Sequence, residues 1–103
     1  MKLKPNRLNH TQLKQISKAL LKLYDKVQQS ITVRRQFNET FDEDQRRYIR
    51  TIRTKFLKWE RYGFPEEYHC VSKEGKQILL KIIDMEAYIR LMTNLRRKYR
   101  EVK

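Results

Sequence analysis

The sequence predicts an all-α fold, a three-helix antiparallel bundle whose third helix extends beyond the other two, and three observations carry that expectation. Only two glycines and two prolines interrupt 103 residues. Strong helix formers fill most of the remainder. Apolar residues recur at steps of three and four in three separate stretches, which is the period of a helix with one buried face. A chain of this length holds one domain, residues 1–103, around one modest core.

Residues 1–8 read as a basic, solvated arm, acid-free as a mitochondrial presequence would be, though short and broken by Pro5. Asn9-His10-Thr11-Gln12 supplies an N-cap with Gln at the third helical position, so a capping box starts the first helix. Leu13, Ile16, Leu20, Leu23 and Val27 form its apolar stripe, with Ala19 and Tyr24 widening it. Lys14, Lys18, Lys22 and Lys26 stand at i, i+4 spacing beside that stripe. This row is either a solvated face or a grip for an acidic partner, which would relieve its like-charge repulsion.

The β-branched run Ser30-Ile31-Thr32-Val33 weakens the helix, and residues 34–39 read as the connector. Thr40-Phe41-Asp42-Glu43 opens the second helix, with Thr40 as cap and Glu43 closing the box. Tyr48, Ile49, Ile52, Phe56 and Trp59 line one face of it while Arg46, Arg47, Arg50, Arg53, Lys55 and Lys58 crowd the rest. One face needs a core and the other an anion, so this helix is expected in the middle of the bundle. Gly63-Phe64-Pro65 ends it, because glycine suits a positive φ and the residue before proline avoids the helical region.

Pro65-Glu66-Glu67 marks the start of the third helix, with Ser72 and Glu74 as an alternative later start or a kink. Tyr68, Val71, Gly75, Ile78, Ile82, Met85, Ile89 and Met92 keep helical spacing throughout, which favours one long helix. Gly75 then faces the core. A mid-helix glycine costs about 1 kcal/mol relative to alanine, so another backbone, a guest molecule or a plain helix contact comes close there. From Pro65 to Arg100 the helix would measure roughly 50 Å against roughly 30 Å for the others. Its end, residues 90–103, is therefore a basic overhang. Tyr88, Leu91, Leu95 and Tyr99 lack an internal partner there, flanked by Arg90, Arg96, Arg97, Lys98 and Arg100.

A formal net charge of +13 implies a polyanionic partner. No apolar run approaches the ~20 residues of a membrane span. The single cysteine, Cys70, excludes an internal disulfide, and with His10 and His69 it makes no zinc spacing. An enzyme is not expected: the chain carries no glycine-rich phosphate loop and no nucleophile with a paired base.

Ile52-Arg53-Thr54-Lys55-Phe56 in the second helix and Lys73-Glu74-Gly75-Lys76-Gln77-Ile78-Leu79 in the third resemble the LYR-motif (Leu-Tyr-Arg) family of small mitochondrial proteins, over residues 13–86. Leu23-Tyr24 stands for Leu-Tyr, with Asp25 where the family has arginine; a register shifted by three, Leu20-Leu21-Lys22 with Lys26, keeps the cations and loses the tyrosine. The resemblance implies a non-catalytic adaptor of the mitochondrial matrix that binds acylated acyl carrier protein. It serves as a subunit or assembly factor of a larger complex, mitoribosomal or respiratory. Under that resemblance Lys18, Lys22, Lys26, Arg50 and Arg53 hold the carrier's acidic surface and its acyl-phosphopantetheine. Leu20, Tyr24, Ile52, Phe56, Gly75, Leu79 and Ile83 line a tunnel for the acyl chain, while Arg90, Arg96, Arg97, Lys98 and Arg100 dock the larger partner, rRNA included. The competing expectation is a small basic helical module that binds nucleic acid with neither lipid nor carrier, since cations meet phosphates and aromatic faces stack on bases.

Overall fold

The computed structural model describes the backbone of residues 6–67 and 69–102 and the side chains of residues 7–67 and 69–98. Its order is β1 (Asn6–Leu8), α1 (His10–Gln29), α2 (Ile31–Thr40), α3 (Glu43–Tyr62), β2 (His69–Val71) and α4 (Lys73–Val102). The all-α expectation holds apart from the two short strands, but four helices replace the expected three.

The capping box of α1 forms as the sequence predicts. Asn9 Oδ1 accepts from the Gln12 amide at 2.8 Å and Gln12 Oε1 accepts from the Asn9 amide at 3.0 Å. Leu13, Ile16, Leu20, Leu23 and Val27 are all buried. Central place belongs to α1 rather than to the basic second helix of the sequence reading, because α1 packs against α2, α3 and α4 alike.

The expected connector at residues 34–39 is helical. The Ser30 side chain accepts from the Val33 amide and restarts the chain as α2. Val33, Phe37 and Phe41, at steps of four, turn toward the core: Phe37 and Phe41 are buried and Val33 packs against them. That burial outweighs the low helix propensity of the β-branched residues. The N-cap of the next helix moves accordingly. Thr40 is the last residue of α2 and its hydroxyl donates to the Gln36 carbonyl at 2.8 Å. Asp42 caps α3 instead, closing a box with Gln45 in place of Glu43.

Gly63 ends α3 with φ 113°, a value that favours glycine, and its amide donates to the Trp59 carbonyl at 2.7 Å. The long third helix expected from Pro65 does not begin there. His69-Cys70-Val71 pair antiparallel with Asn6-Arg7-Leu8, and Ser72 accepts from the Gly75 amide at 2.9 Å to start α4. The later start wins because the ladder occupies the residues before it. The same pairing replaces part of the expected arm: residues 6–8 form a strand and Leu8 is 2% exposed. Residues 1–5 and Tyr68 lie outside the described residues.

Gly75 is buried, and the close neighbour is a side chain. A Cβ there would meet the Tyr48 hydroxyl at 2.6 Å and Ser72 Oγ at 3.0 Å, so tyrosine, not a second backbone or a guest, fills the space. Burial raises the Tyr48 pKa above its ordinary value.

Helices α1 and α3 are about 30 Å long and α4 about 45 Å. The molecule measures 58 × 28 × 26 Å, and the end of α4 accounts for the long axis. Tyr88, Leu91 and Leu95 are 55%, 56% and 51% exposed, as the overhang requires. Arg96, Arg97 and Lys98 are exposed beside them; the side chains of Tyr99 and Arg100 lie outside the described residues.

Candidate functional site

The seam between α1 and α3 gathers the most chemistry. Positions 17, 21 and 24 of α1 follow at steps of four and three, so they form one row along the helix. Glu60 and Phe64, from the end of α3 and just after it, face the Ser17 end of this row across a groove of about 400 Å³ that Lys14, Ser17, Lys18, Leu21 and Lys22 also line. At the Tyr24 end, about 10 Å further along α1, the Arg53 guanidinium lies 4.5 Å from the Tyr24 ring centroid. Position 60 thus lies beside 17 and position 53 beside 24, so the two helices run antiparallel.

Arg53 is half-buried because it sits at the rim of the apolar face that buries Ile52 and Phe56. The contact holds a cation over a π-face, worth on the order of 1 kcal/mol in a partly desolvated setting. Phe37 meets the same tyrosine edge-on at 6.4 Å between centroids. Asp25, which stands where an arginine would complete Leu-Tyr-Arg, accepts instead from the Gln29 side-chain amide at 3.2 Å.

Ser17 is the unusual member. It is 2% exposed and its Oγ has no hydrogen-bond partner among the described residues. A buried unsatisfied hydroxyl costs roughly 1–3 kcal/mol. Ser17 borders the groove that Lys14, Lys18 and Lys22 also line, with the Oγ itself closed off from solvent.

The remaining sequence-predicted cations separate. Lys26 stands two residues after Tyr24, hence on the far side of α1 from Arg53. Lys26 lines a second groove of about 300 Å³ between α1 and α4, with Leu23, Ile89, Arg90 and Thr93. Lys22 borders both grooves, and Lys18 borders the α1–α3 groove and a further depression beside Ile83, Glu86 and Arg90 of α4. The lysine row is thus a ridge between two grooves. Arg50 points outward from α3 and joins neither. Lys14 lines the α1–α3 groove, an assignment that needs the tertiary position of Glu60.

The expected tunnel residues come together, and they are packed. Leu20, Ile52, Phe56 and Leu79 are buried in one cluster, with Tyr24 and Ile83 against it, and Gly75 is covered by Tyr48. Of the expected docking residues, Arg90 belongs to the body rather than the overhang: it lines the α1–α4 groove and pairs with Glu86 at 3.8 Å.

His69 of β2 meets Trp59 edge-on at 5.1 Å. Burial, and then the Lys55 charge, lower its pKa below the ordinary value of 6.5. The unfolded chain therefore takes up the proton more readily, and stability falls as pH drops through about 6.5, levelling off below the folded-state pKa. Replacing His69 by Gln should flatten the melting temperature between pH 7.5 and 5.5 relative to the native chain. Parallel melting curves for the two proteins across that range would remove His69 from the acid response.

Among the described residues no group of three metal-binding side chains converges, and no helix is long and apolar enough to cross a membrane. These features define a mostly helical basic domain with a cationic seam. No known protein family, curated protein or solved structure matches the chain.

Proposed function

We propose that the chain is a non-catalytic adaptor of the LYR type, which binds acylated acyl carrier protein and serves a larger mitochondrial complex in the matrix. The observation that carries this reading is the Arg53 guanidinium over the Tyr24 ring. It joins the two stretches on which the resemblance rests, Leu23-Tyr24 and Ile52-Arg53-x-x-Phe56, although 27 residues separate them in sequence. Their apolar members, Leu23, Ile52 and Phe56, share one buried cluster. With Asp25 turned to Gln29, Arg53 provides the cation that the first motif lacks.

The seam suits an acidic, phosphate-bearing partner. Lys14, Lys18 and Lys22 line a groove of about 400 Å³ there, with Ser17 at its border. Charged hydrogen bonds to such a group are stronger than neutral ones. Lys26 then extends the grip toward α4, and Arg50 falls outside it. The acyl chain must part the packed cluster around Leu20, Phe56 and Leu79 to enter, so carrier without an acyl chain gains the electrostatic contacts alone.

The test is co-expression with a mitochondrial acyl carrier protein followed by native mass measurement. A one-to-one complex is expected with the acylated carrier and not with the unacylated form. Ser17→Ala should melt at or slightly above the native temperature, because the buried Oγ has no hydrogen-bond partner among the described residues. Equal retention of acylated and unacylated carrier would overturn the reading.

A further inference from the structure

The outward face of α3 is a continuous cationic row that the seam does not use, and we propose that it docks the phosphate backbone of a nucleic-acid duplex. Arg47, Arg50, Lys58 and Arg61 fall within an arc of about 80° at the helical repeat, opposite the buried Ile49, Ile52 and Phe56. All four are exposed. From Arg47 to Arg61 the row runs about 21 Å, the axial length of about six phosphates on one strand.

The row has almost no internal counter-charge. No acidic residue occurs between Asp44 and Glu60. Asp44 reaches Arg47 at 3.9 Å with both side chains largely exposed, a pair too loose and solvated to neutralise it. Glu60 lines the groove toward α1 and leaves the outward face to the cations. Lys55 adds charge on one flank.

Chemistry favours nucleic acid over an acidic protein. Protein interfaces have an apolar centre depleted of charge, whereas here the centre is Thr54 between arginines and lysine. The Thr51 and Thr54 hydroxyls donate to the Arg47 and Arg50 carbonyls at 3.0 and 3.2 Å, so small side chains with satisfied hydroxyls let a backbone approach. Arg and Lys are among the donors that contact phosphate in such complexes, and their charge carries the electrostatic part of the affinity. A duplex fits better than a single strand because the straight row carries no stacking platform along its length; Tyr62, 77% exposed, stands only at its end. Base identity is not read, and affinity depends on counterion release.

The test uses the full chain, a 20-base-pair duplex and a 20-nucleotide single strand, with fluorescence anisotropy across a salt series. The triple variant Arg47→Gln, Lys58→Gln, Arg61→Gln should lower the log-affinity against log-salt slope for duplex by about 3, with unchanged circular dichroism. The triple variant Lys18→Gln, Lys22→Gln, Lys26→Gln, which removes the same charge from α1, should leave the duplex slope within about 1 of the native value. Equal loss in both triples would reduce the binding to net charge and overturn the proposal, as would tighter binding of the single strand. So would an acidic polypeptide that competes with duplex at equal charge concentration. Because the first triple spares the seam, acyl carrier binding serves as an independent readout, and either proposal can fail without the other.

Discussion

Phe41→Ala is expected to lower the unfolding free energy by about 3–5 kcal/mol, the range for removing a fully buried phenylalanine. That is a large share of the roughly 5–15 kcal/mol that holds an ordinary domain together. Phe41 is 0% exposed and packs on Phe37 at 5.1 Å between ring centroids. Phe37 in turn meets Tyr24, so the chain of rings reaches the Arg53 contact. The corner around Phe41 has little freedom to collapse into the cavity. Its amide donates to the Phe37 carbonyl at 3.0 Å, and the Arg46 guanidinium donates to the carbonyls of Asn38 and Phe41. Ile31→Ala makes the comparison within the same part of the chain. Ile31 is 73% exposed, and its loss should cost no more than ~0.5 kcal/mol. Urea unfolding of the two variants checks the contrast, and equal midpoints would mean that residues 31–41 do not belong to the core.

The expected size of that effect also shows where sequence reasoning stops. Helices α1 and α3 are legible because each carries its own apolar stripe; the cap of α1 is legible too, whereas that of α3 is expected at Thr40 from the sequence and lies at Asp42 in the structure. Asn9 with Gln12 is a signal that four residues contain. The α2 segment was not legible from propensity, because Ile31, Thr32 and Val33 weaken an isolated helix. The signal present was the four-step series Val33, Phe37 and Phe41, and its meaning depends on a core built by other segments. The β1–β2 ladder was harder still. Strands of three residues offer no alternation to count, and Asn6-Arg7-Leu8 finds His69-Cys70-Val71 some sixty residues away. The basic residues were easy to see and hard to sort. Helical spacing gave the lysine row, but only the position of Tyr24 sends Arg53 to one side of α1 and Lys26 to the other. Ser17 carried no sequence signal, since a serine in a helix ordinarily faces solvent or its own backbone.

On the proposed adaptor function, truncation after Asn94 should leave the four-helix body folded and able to bind acylated carrier while abolishing docking to a larger complex. The sequence alone placed the boundary at residue 90. Packing moves it outward, because Ile89 is 8% exposed and Arg90, Thr93 and Asn94 line the groove with α1. Beyond that point the described side chains are exposed: Leu95 is 51% open to solvent, and Arg96, Arg97 and Lys98 surround it. Single substitutions of such exposed residues are usually worth no more than ~0.5 kcal/mol, so losing them should leave the body folded. An apolar side chain among cations on a projecting helix suits an acidic groove of a protein partner, which anchors a helix through residues spaced three and four apart such as Leu91 and Leu95. Docking through that groove should weaken only modestly between 50 and 200 mM salt. Loss of several decades over the same range would instead mark an RNA surface met through many phosphates. If the truncated chain loses its helical circular dichroism together with its carrier binding, the end of α4 is part of the core and the docking role falls. Retained folding with undiminished assembly would place the docking surface elsewhere on the body.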